Sequence, residues 1–355
     1  MNWRQKCLLG LLPLCWALAS PLWASTALKT DEQVMVLPAV AHDLSGQPGR
    51  VSVTLSVWVY ETERRPGTTR LLARYMGTPI SGLNNAERAR LSERSQLFRV
   101  DSERGKVVTL ALPDGSQHTL PPTDASGRSS LTVTLPTASV AQQPQPLPIT
   151  LVTTSSHNSP AGSLWYVPAQ GLSIISDIDD TVKISEVGDT KKLLQQTFLQ
   201  PLAPAPGMAQ WYQRLTQAEG AAVHYVSSSP LQLLPLLSTF INEAGLPPGS
   251  LHLRQSTSWR TAIPPKGASR IHKTEQISTL LQAYPQRRFI LVGDSGELDP
   301  EIYADMIKAF PQQIDRIYIR DVTQQPRSDA RYQAIFKDLP ANKWVIFAPT
   351  GAPTE

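Results

Sequence analysis

Leu172-Ser173-Ile174-Ile175-Ser176-Asp177-Ile178-Asp179-Asp180-Thr181 is the stretch that decides the fold of this chain. Its apolar run, which ends in three acidic residues and a threonine, is typical of a strand buried on both faces of a parallel sheet. Ligands bind at the carboxyl ends of such strands in open α/β sheets. We therefore expect Asp177 and Asp179 to project from the same side of the strand into one crevice.

Two carboxylates this close repel each other, and a divalent cation would relieve the repulsion. Mg²⁺ fits such a site best because it is a hard cation that prefers oxygen ligands. The spacing Asp-x-Asp-x-Thr also resembles the signature of the haloacid dehalogenase superfamily of phosphotransferases. The alternative is an acidic strand-to-helix turn in which Thr181 caps the following helix, since threonine and acidic residues favour helix starts.

Further polar groups follow at the ends of later predicted strands. The serines 227–229 offer a hydroxyl and helix-start amides to a phosphate oxygen. Lys273 opens a later helix and can neutralise phosphate charge. An apolar strand then ends in Gly293 and two aspartates, Asp294 and Asp299. Four motifs in this order are far more specific than any one of them.

Each of these groups also has a purely structural interpretation. A serine in this position can simply cap a helix. Lys273 has competitors in Lys183 and Lys266, and a lysine most often lies on the surface. Asp294 and Asp299 can cap the helix predicted to begin directly after them.

Taken together, the motifs resemble the catalytic domain of the fungal actin-patch type of Mg²⁺-dependent phosphatidate phosphatase and its bacterial relatives. The matching segments are SDIDDTVK (176–183), PGM (206–208), YVSSSP (225–230), HK (272–273) and GDSGELDPEIY (293–303). The resemblance extends over about residues 165–320 and is loose before them. One feature departs from it: the fungal proteins are cytosolic, whereas this chain begins with a predicted export signal, which puts the identity of the substrate in question.

The resemblance implies hydrolysis of a phosphomonoester in two steps. Asp177 would attack phosphorus and form an aspartyl-phosphate. Asp179 would protonate the leaving alkoxide and then deprotonate the water that hydrolyses the intermediate. Ser227 and Lys273 would stabilise the charge on the transferring phosphoryl oxygens.

The resemblance also implies a Mg²⁺ cofactor. Its predicted ligands are Asp177, the backbone carbonyl of Asp179 and Asp294, and Asp299 would orient the metal-bound waters. The predicted substrate is a phospholipid phosphomonoester, phosphatidate, which the reaction would convert to diacylglycerol. The alternatives are an exported phosphatase for soluble phosphomonoesters and a catalytically inactive binding module.

The implied fold is a Rossmann-like parallel sheet of the haloacid dehalogenase type over residues 167–348, followed by a tail at 349–355. The alternation of strand and helix candidates after Gly171 agrees with a parallel sheet and right-handed crossovers. Residues 183–206 are more than a simple crossover requires, so we expect a small flap over the site. Its apolar residues Leu193, Leu194 and Phe198 would make peripheral contact with a membrane. The strand candidates are 222–226, 289–292 and 314–319.

Residues 30–166 are predicted to form a β-rich, sandwich-like domain that contains one helix at about 85–97. The stretch 51–60 alternates with the period of a half-buried strand. Turns formed by Pro, Gly and Ser separate the other candidates. These shorter strand candidates are 106–112, 131–135 and 149–153.

Residues 1–24 have the features of a secretory signal peptide: a basic start, a short apolar core and small residues at the cleavage site. We expect an exported protein, periplasmic or secreted; an uncleaved N-terminal anchor is the alternative. Both cysteines, Cys7 and Cys15, lie in this leader, so the mature chain would form no disulfide. The net charge of +4, to which Arg4 and Lys6 contribute, does not indicate nucleic-acid binding.

Overall fold

The computed structural model describes residues 26–63, 67–152, 159–255 and 267–353. The predicted signal peptide, both cysteines and Lys266 lie outside these ranges. Among the helices of the described ranges, none is long and apolar enough to cross a membrane.

The first half of the chain forms one nine-stranded sheet. Its central strand, β3 (Arg50–Thr62), pairs with four others, and these four pairings are antiparallel. The strand predicted at 51–60 is confirmed, and Val51, Val53, Leu55 and Val57 are buried in the core of this sheet. The predicted half-buried pattern does not extend to residues 58–60, which are all buried. The strands are β1 (Glu32–Val36), β2 (Ala39–Asp43), β3 (Arg50–Thr62), β4 (Val100–Ser102), β5 (Thr109–Ala111), β6 (Gln117–Thr119), β7 (Arg128–Pro136), β8 (Leu147–Val152) and β9 (Ser159–Val167).

Two helices interrupt this sheet between β3 and β4, where the sequence predicted one. The predicted helix is α2 (Asn85–Arg94). The side chains of Asn84 and Glu87 cap its amino end reciprocally, and a 3₁₀ turn at Gln96–Phe98 follows its carboxyl end. The prediction of a single helix was wrong, because α1 (Thr68–Tyr75) precedes it. Helix α1 is only two turns long, too short for its buried stripe to give a clear period. Residues 68–98 are called the helical insertion below.

The second half forms a six-stranded sheet whose neighbouring strands are all parallel, as predicted. Its order is β14-β13-β10-β15-β16-β17. The edge strands β14 and β17 were not predicted. After α3 (Thr137–Val140) in the first half, the elements are β10 (Leu172–Ser176), β11 (Lys183–Ile184), α4 (Thr190–Phe198), β12 (Ala203–Pro204), α5 (Met208–Glu219), β13 (Ala222–Pro230), α6 (Leu234–Glu243), β14 (Ser250–Arg254), α7 (Ala268–Ala283), β15 (Arg288–Asp294), α8 (Asp299–Ala309), β16 (Ile314–Arg320), α9 (Ala330–Ile335) and β17 (Trp344–Phe347).

Helices cover both faces of the parallel sheet, which explains why β10 has no polar alternation. Ile174 packs in one core with α5 and α6, whereas Ile175 packs in the other with α7 and α8. Both isoleucines are fully buried. Burial on both faces therefore fixes β10 in the middle of the sheet and places its carboxyl end at the middle of the sheet edge.

The connection from β10 to α5 contains the segment predicted as a flap. Strands β11 and β12 pair antiparallel at its base, and α4 lies between them. The interpretation of Thr181 as a helix cap does not hold, since the chain continues into β11 and the Thr181 hydroxyl donates to Asp177 Oδ2 at 3.3 Å.

Candidate active site

Three neighbouring strands bring the predicted groups to one edge of the sheet. Strand β10 lies between β13 and β15, so Asp177 follows the central strand of the three. Ser227 lies near the end of β13, and Asp294 is the last residue of β15. The Asp177 amide donates to the Val292 carbonyl at 2.9 Å and thereby holds the turn after β10 against β15.

The carboxylates of Asp177, Asp294 and Asp299 converge at this edge. Each contributes an oxygen, these oxygens lie within 4.8 Å of one another, and all three residues are buried. Burial raises the pKa of Asp177 and Asp294 well above the usual range of an aspartate, and the adjacent carboxylates raise it further. Asp294 Oδ2 is buried without a hydrogen-bond partner. The cluster therefore concentrates negative charge in a space that a cation would stabilise.

Lys273 projects from α7 into this cluster and is itself buried. Its Nζ lies 2.9 Å from Asp177 Oδ1, 2.5 Å from Asp299 Oδ1 and 3.0 Å from Glu297 Oε2. Burial would lower the pKa of the Lys273 ammonium, but these carboxylates outweigh burial and raise it well above its usual value. The lysine is thus a fixed positive charge beside Asp177. Glu297, to which the sequence motifs gave no role, is thus a further charged group of this site.

The Asp179 side chain points to different partners. Its Oδ1 lies 2.6 Å from Lys183 Nζ and accepts from the Ser185 hydroxyl at 2.7 Å. Its Oδ2 accepts from the hydroxyls of Ser229 at 2.9 Å and Ser227 at 3.3 Å. Burial would raise the pKa of Asp179, but Lys183 and these hydroxyls lower it to about 2. Lys183, considered above only as a competitor of Lys273, lies in the same site.

Asp180 fixes the loop that follows the two aspartates. Its carboxylate accepts from the backbone amides of Ser185 at 2.7 Å, Glu186 at 3.0 Å and Val187 at 2.7 Å. Its backbone is in the left-handed region, with φ of 55°, and its carbonyl accepts from Arg320 at 2.8 Å. Asp180 therefore ties β10, the flap and β16 together.

Gly293 allows Asp299 to approach β15 closely. A Cβ atom at position 293 would overlap the Asp299 carboxylate and lie 2.7 Å from Asp299 Cβ. The Asp294 amide donates to Asp299 Oδ2 at 3.3 Å, which holds the two aspartates together. Position 293 therefore requires glycine, because any side chain there would collide with Asp299.

A cavity of about 210 Å³ opens beside Asp179. Residues of helix α4 line it, and so do Ser228, Ser229 and Leu233. Phe98, from the helical insertion, also lines it. Leu194 and Phe198 line this cavity and are buried, so these two flap residues are not available for the membrane contact that we expected of them.

The second half of the chain is similar to a phosphatase family. A family model described as "Phosphatidate phosphatase APP1, catalytic domain" matches residues 172–321. This segment runs from the start of β10 to just beyond β16, so it contains both aspartate motifs and Lys273. The match confirms the expected resemblance to phosphatidate phosphatase catalytic domains in this half; the bacterial relatives stay a prediction.

Two fungal proteins match over stretches of similar length. Phosphatidate phosphatase APP1 of Saccharomyces cerevisiae is 39% identical over 159 residues, which is 44% of this chain and 27% of that protein. The uncharacterized protein C29B5.04c of Schizosaccharomyces pombe is 40% identical over 156 residues, 43% of this chain and 25% of that protein. The chain thus spans about a quarter of the length of the curated relatives it matches.

A ferredoxin-NADP+ reductase from Plasmodium falciparum covers 81% of this chain and 95% of its own, at 6% identity and a TM-score of 0.16. A score this low supports no conclusion on fold or function.

Proposed function

We propose that this chain is a Mg²⁺-dependent phosphatidate phosphatase, a phosphoric monoester hydrolase that converts phosphatidate to diacylglycerol. The observation that carries the proposal is the convergence of Asp177, Asp294 and Asp299 around Lys273, within the segment that matches the catalytic-domain family. A buried aspartate beside a fixed positive charge and an oxygen-rich cation site is the arrangement that phosphoryl transfer requires.

We assign the parallel sheet to the haloacid dehalogenase superfamily. The assignment rests on Asp-x-Asp-x-Thr at the end of β10, the paired aspartates at the end of β15, and the flap inserted after β10. The proposed domains are 30–166 and 167–348. Their two separate sheets support this division, and a sandwich-like layering of the first stays a prediction.

The described residues fit Mg²⁺. Asp177, Asp294 and Asp299 supply only oxygen donors, and the unpartnered Asp294 Oδ2 is available for coordination. These three carboxylates would hold the ion; the carbonyl of Asp179 stays a predicted ligand. When bound, Mg²⁺ supplies neutralisation of phosphate charge.

The proposed reaction begins with attack of an Asp177 oxygen on phosphorus. The bond from phosphorus to the alkoxide oxygen of the lipid breaks, and that oxygen takes a proton from Asp179. Since Lys183 holds Asp179 ionised, the acid role requires that this ion pair weaken when substrate binds, for example because phosphate oxygens compete for Lys183. Asp179 then takes up a proton from solvent before it acts as the acid. In the second step Asp179 accepts a proton from water, which attacks the aspartyl-phosphate and releases phosphate.

Several groups surround the position of the phosphoryl oxygens. Lys273 Nζ, 2.9 Å from Asp177 Oδ1, is placed to stabilise charge that develops on them. The hydroxyls of Ser227 and Ser229 donate to Asp179 and are the proposed donors to these oxygens. His272 Nε2 donates to the Ser227 carbonyl at 3.1 Å and supports that end of β13.

Phosphate release from two substrates tests the proposal. The purified chain is given phosphatidate in mixed micelles with a nonionic detergent, or a soluble sugar phosphate, each with Mg²⁺ or with EDTA. We expect release from phosphatidate only with Mg²⁺, and a rate that falls when detergent dilutes the lipid at constant bulk concentration. Release from the sugar phosphate alone would favour the soluble-substrate alternative. Absence of both Mg²⁺ binding and phosphate release would favour an inactive binding module.

The cellular setting is part of the proposal. The features of residues 1–24 support export to the periplasm or beyond. A phosphatidate substrate would bring the protein into peripheral contact with membranes, although Leu194 and Phe198 are buried.

A further inference from the structure

The helical insertion is fastened to α4, one wall of the active-site cavity. Arg94 donates to the carbonyls of Thr197 and Gln200, both at 2.7 Å, and Arg90 donates to the carbonyl of Leu199. Carbonyls at the end of a helix lack partners within the helix, and arginine satisfies them well. The two arginines therefore fix the carboxyl end of α4 relative to the first half of the chain.

A second set of contacts fixes the side of α4 that faces α1. The Gln195 side-chain amide donates to the Met76 carbonyl at 2.8 Å and to the Thr78 hydroxyl at 3.2 Å. Phe98 packs edge-on against Phe198, with ring centroids 5.6 Å apart. Residues far apart in sequence thus build one wall.

The position of Asp179 indicates which part of a substrate this cavity receives. Asp179 lines the cavity and is the proposed donor of a proton to the leaving oxygen. The group attached to that oxygen must therefore extend from the Asp179 side of the site. Polar and apolar residues line this cavity in nearly equal number, and Leu193, Leu194 and Phe98 are among the apolar ones.

We infer that this cavity binds the apolar part of the leaving alcohol next to the phosphoryl group, and that Phe98 is a specificity-determining residue. The inference rests on the proposed function, since it uses the proton-donor role of Asp179. It assigns part of the substrate site to the half of the chain that precedes the matched segment 172–321. A longer alkyl chain should bind more tightly until the cavity is filled.

Binding of unreactive n-alkylphosphonates tests this inference. Titration calorimetry with Mg²⁺ present compares butylphosphonate and octylphosphonate on the wild-type chain. Each methylene that enters the cavity should raise affinity about fourfold. In Phe98→Trp the larger ring fills the cavity, so octylphosphonate should lose most of this gain while butylphosphonate binds within about twofold of wild type.

Two further variants make the test decisive. Leu193→Trp fills the same cavity from a half-buried position and serves if Phe98→Trp does not fold. Phe336→Trp enlarges a buried ring in the other core, where Phe336 stacks on Trp344 at 4.6 Å, and should keep the wild-type gain. Equal affinity of both phosphonates for wild type, or a full gain in both cavity variants, would overturn the inference. The expected pattern without phosphate release from phosphatidate would instead refute the proposed function.

Discussion

Lys183 Nζ lies 2.6 Å from Asp179 Oδ1, and both side chains are buried in the candidate active site. Removing one partner of a buried ion pair leaves an uncompensated charge and costs about 3–5 kcal/mol. We therefore expect Lys183→Met to lower the free energy of unfolding by about that amount. Urea unfolding at neutral pH measures the change, because the Asp179 carboxyl, with a pKa of about 2, is ionised there.

An exposed ion pair provides the matched control for Lys183. Lys192 Nζ lies 2.8 Å from Glu186 Oε2, also on the flap, and more than half of the Lys192 side chain is exposed. Lys192→Met should change the unfolding midpoint much less, since exposed pairs contribute little. Equal midpoints for Lys183→Met and wild type would show that the Lys183 pair does not stabilise the fold.

Gly293→Ala tests the close approach of Asp299 to β15. The added methyl group would overlap the Asp299 carboxylate and displace it from Asp177 and Asp294. We expect Mg²⁺ affinity, measured by titration calorimetry, to fall at least tenfold, because one of three carboxylates moves. Gly351→Ala is the control, since a Cβ there meets no atom within 4 Å. Wild-type Mg²⁺ affinity in Gly293→Ala would remove Asp299 from the proposed metal site.

His224 should make the fold sensitive to acid. It is fully buried on β13, where Nδ1 lies 2.7 Å from the Ser250 hydroxyl and Nε2 lies 3.3 Å from the Ser173 hydroxyl. Burial lowers the pKa of His224 well below its usual value of 6.5, and the neighbouring His252 and Arg287 side chains lower it further. The folded protein therefore excludes a proton that the unfolded chain binds below about pH 6.5.

The free energy of unfolding should therefore fall as pH decreases from 7 to 5. His224→Gln cannot take up this proton, so its unfolding free energy should fall less over the same interval, although its value at pH 7 is lower. Urea midpoints of both proteins at pH 7, 6 and 5 give the comparison. Parallel pH profiles would mean that His224 does not contribute to acid sensitivity.

Sequence patterns predicted the elements whose apolar residues form a continuous run or alternate along the strand. The apolar runs became β10 and β15, and the ten-residue alternation became β3. Edge strands β14 and β17 were missed because their residues are only partly buried, so no clear period results. Helix α1 was missed because its buried stripe spans two turns.

The candidate site was predictable only where a motif carried it. Asp177 follows β10, Asp294 ends β15 and Asp299 opens α8, as the motifs predicted. Lys273 was expected to open a helix but lies in the second turn of α7. The structure brings these four groups together. Lys183 was undervalued because sequence alone does not show that its ammonium turns towards Asp179. The role of Phe98 has no local signal, since the contact with Phe198 arises only when the helical insertion packs on α4.

The central claim is that Asp177 is the nucleophile of a phosphatidate phosphatase. The direct measurement is phosphate release from phosphatidate micelles with Mg²⁺ by wild type, Asp177→Asn and the exposed-surface control Asp305→Asn. Asp177→Asn should lose nearly all turnover while its circular dichroism spectrum remains that of the folded protein, and Asp305→Asn should retain wild-type turnover. Wild-type turnover in folded Asp177→Asn would contradict the account and place the nucleophile elsewhere.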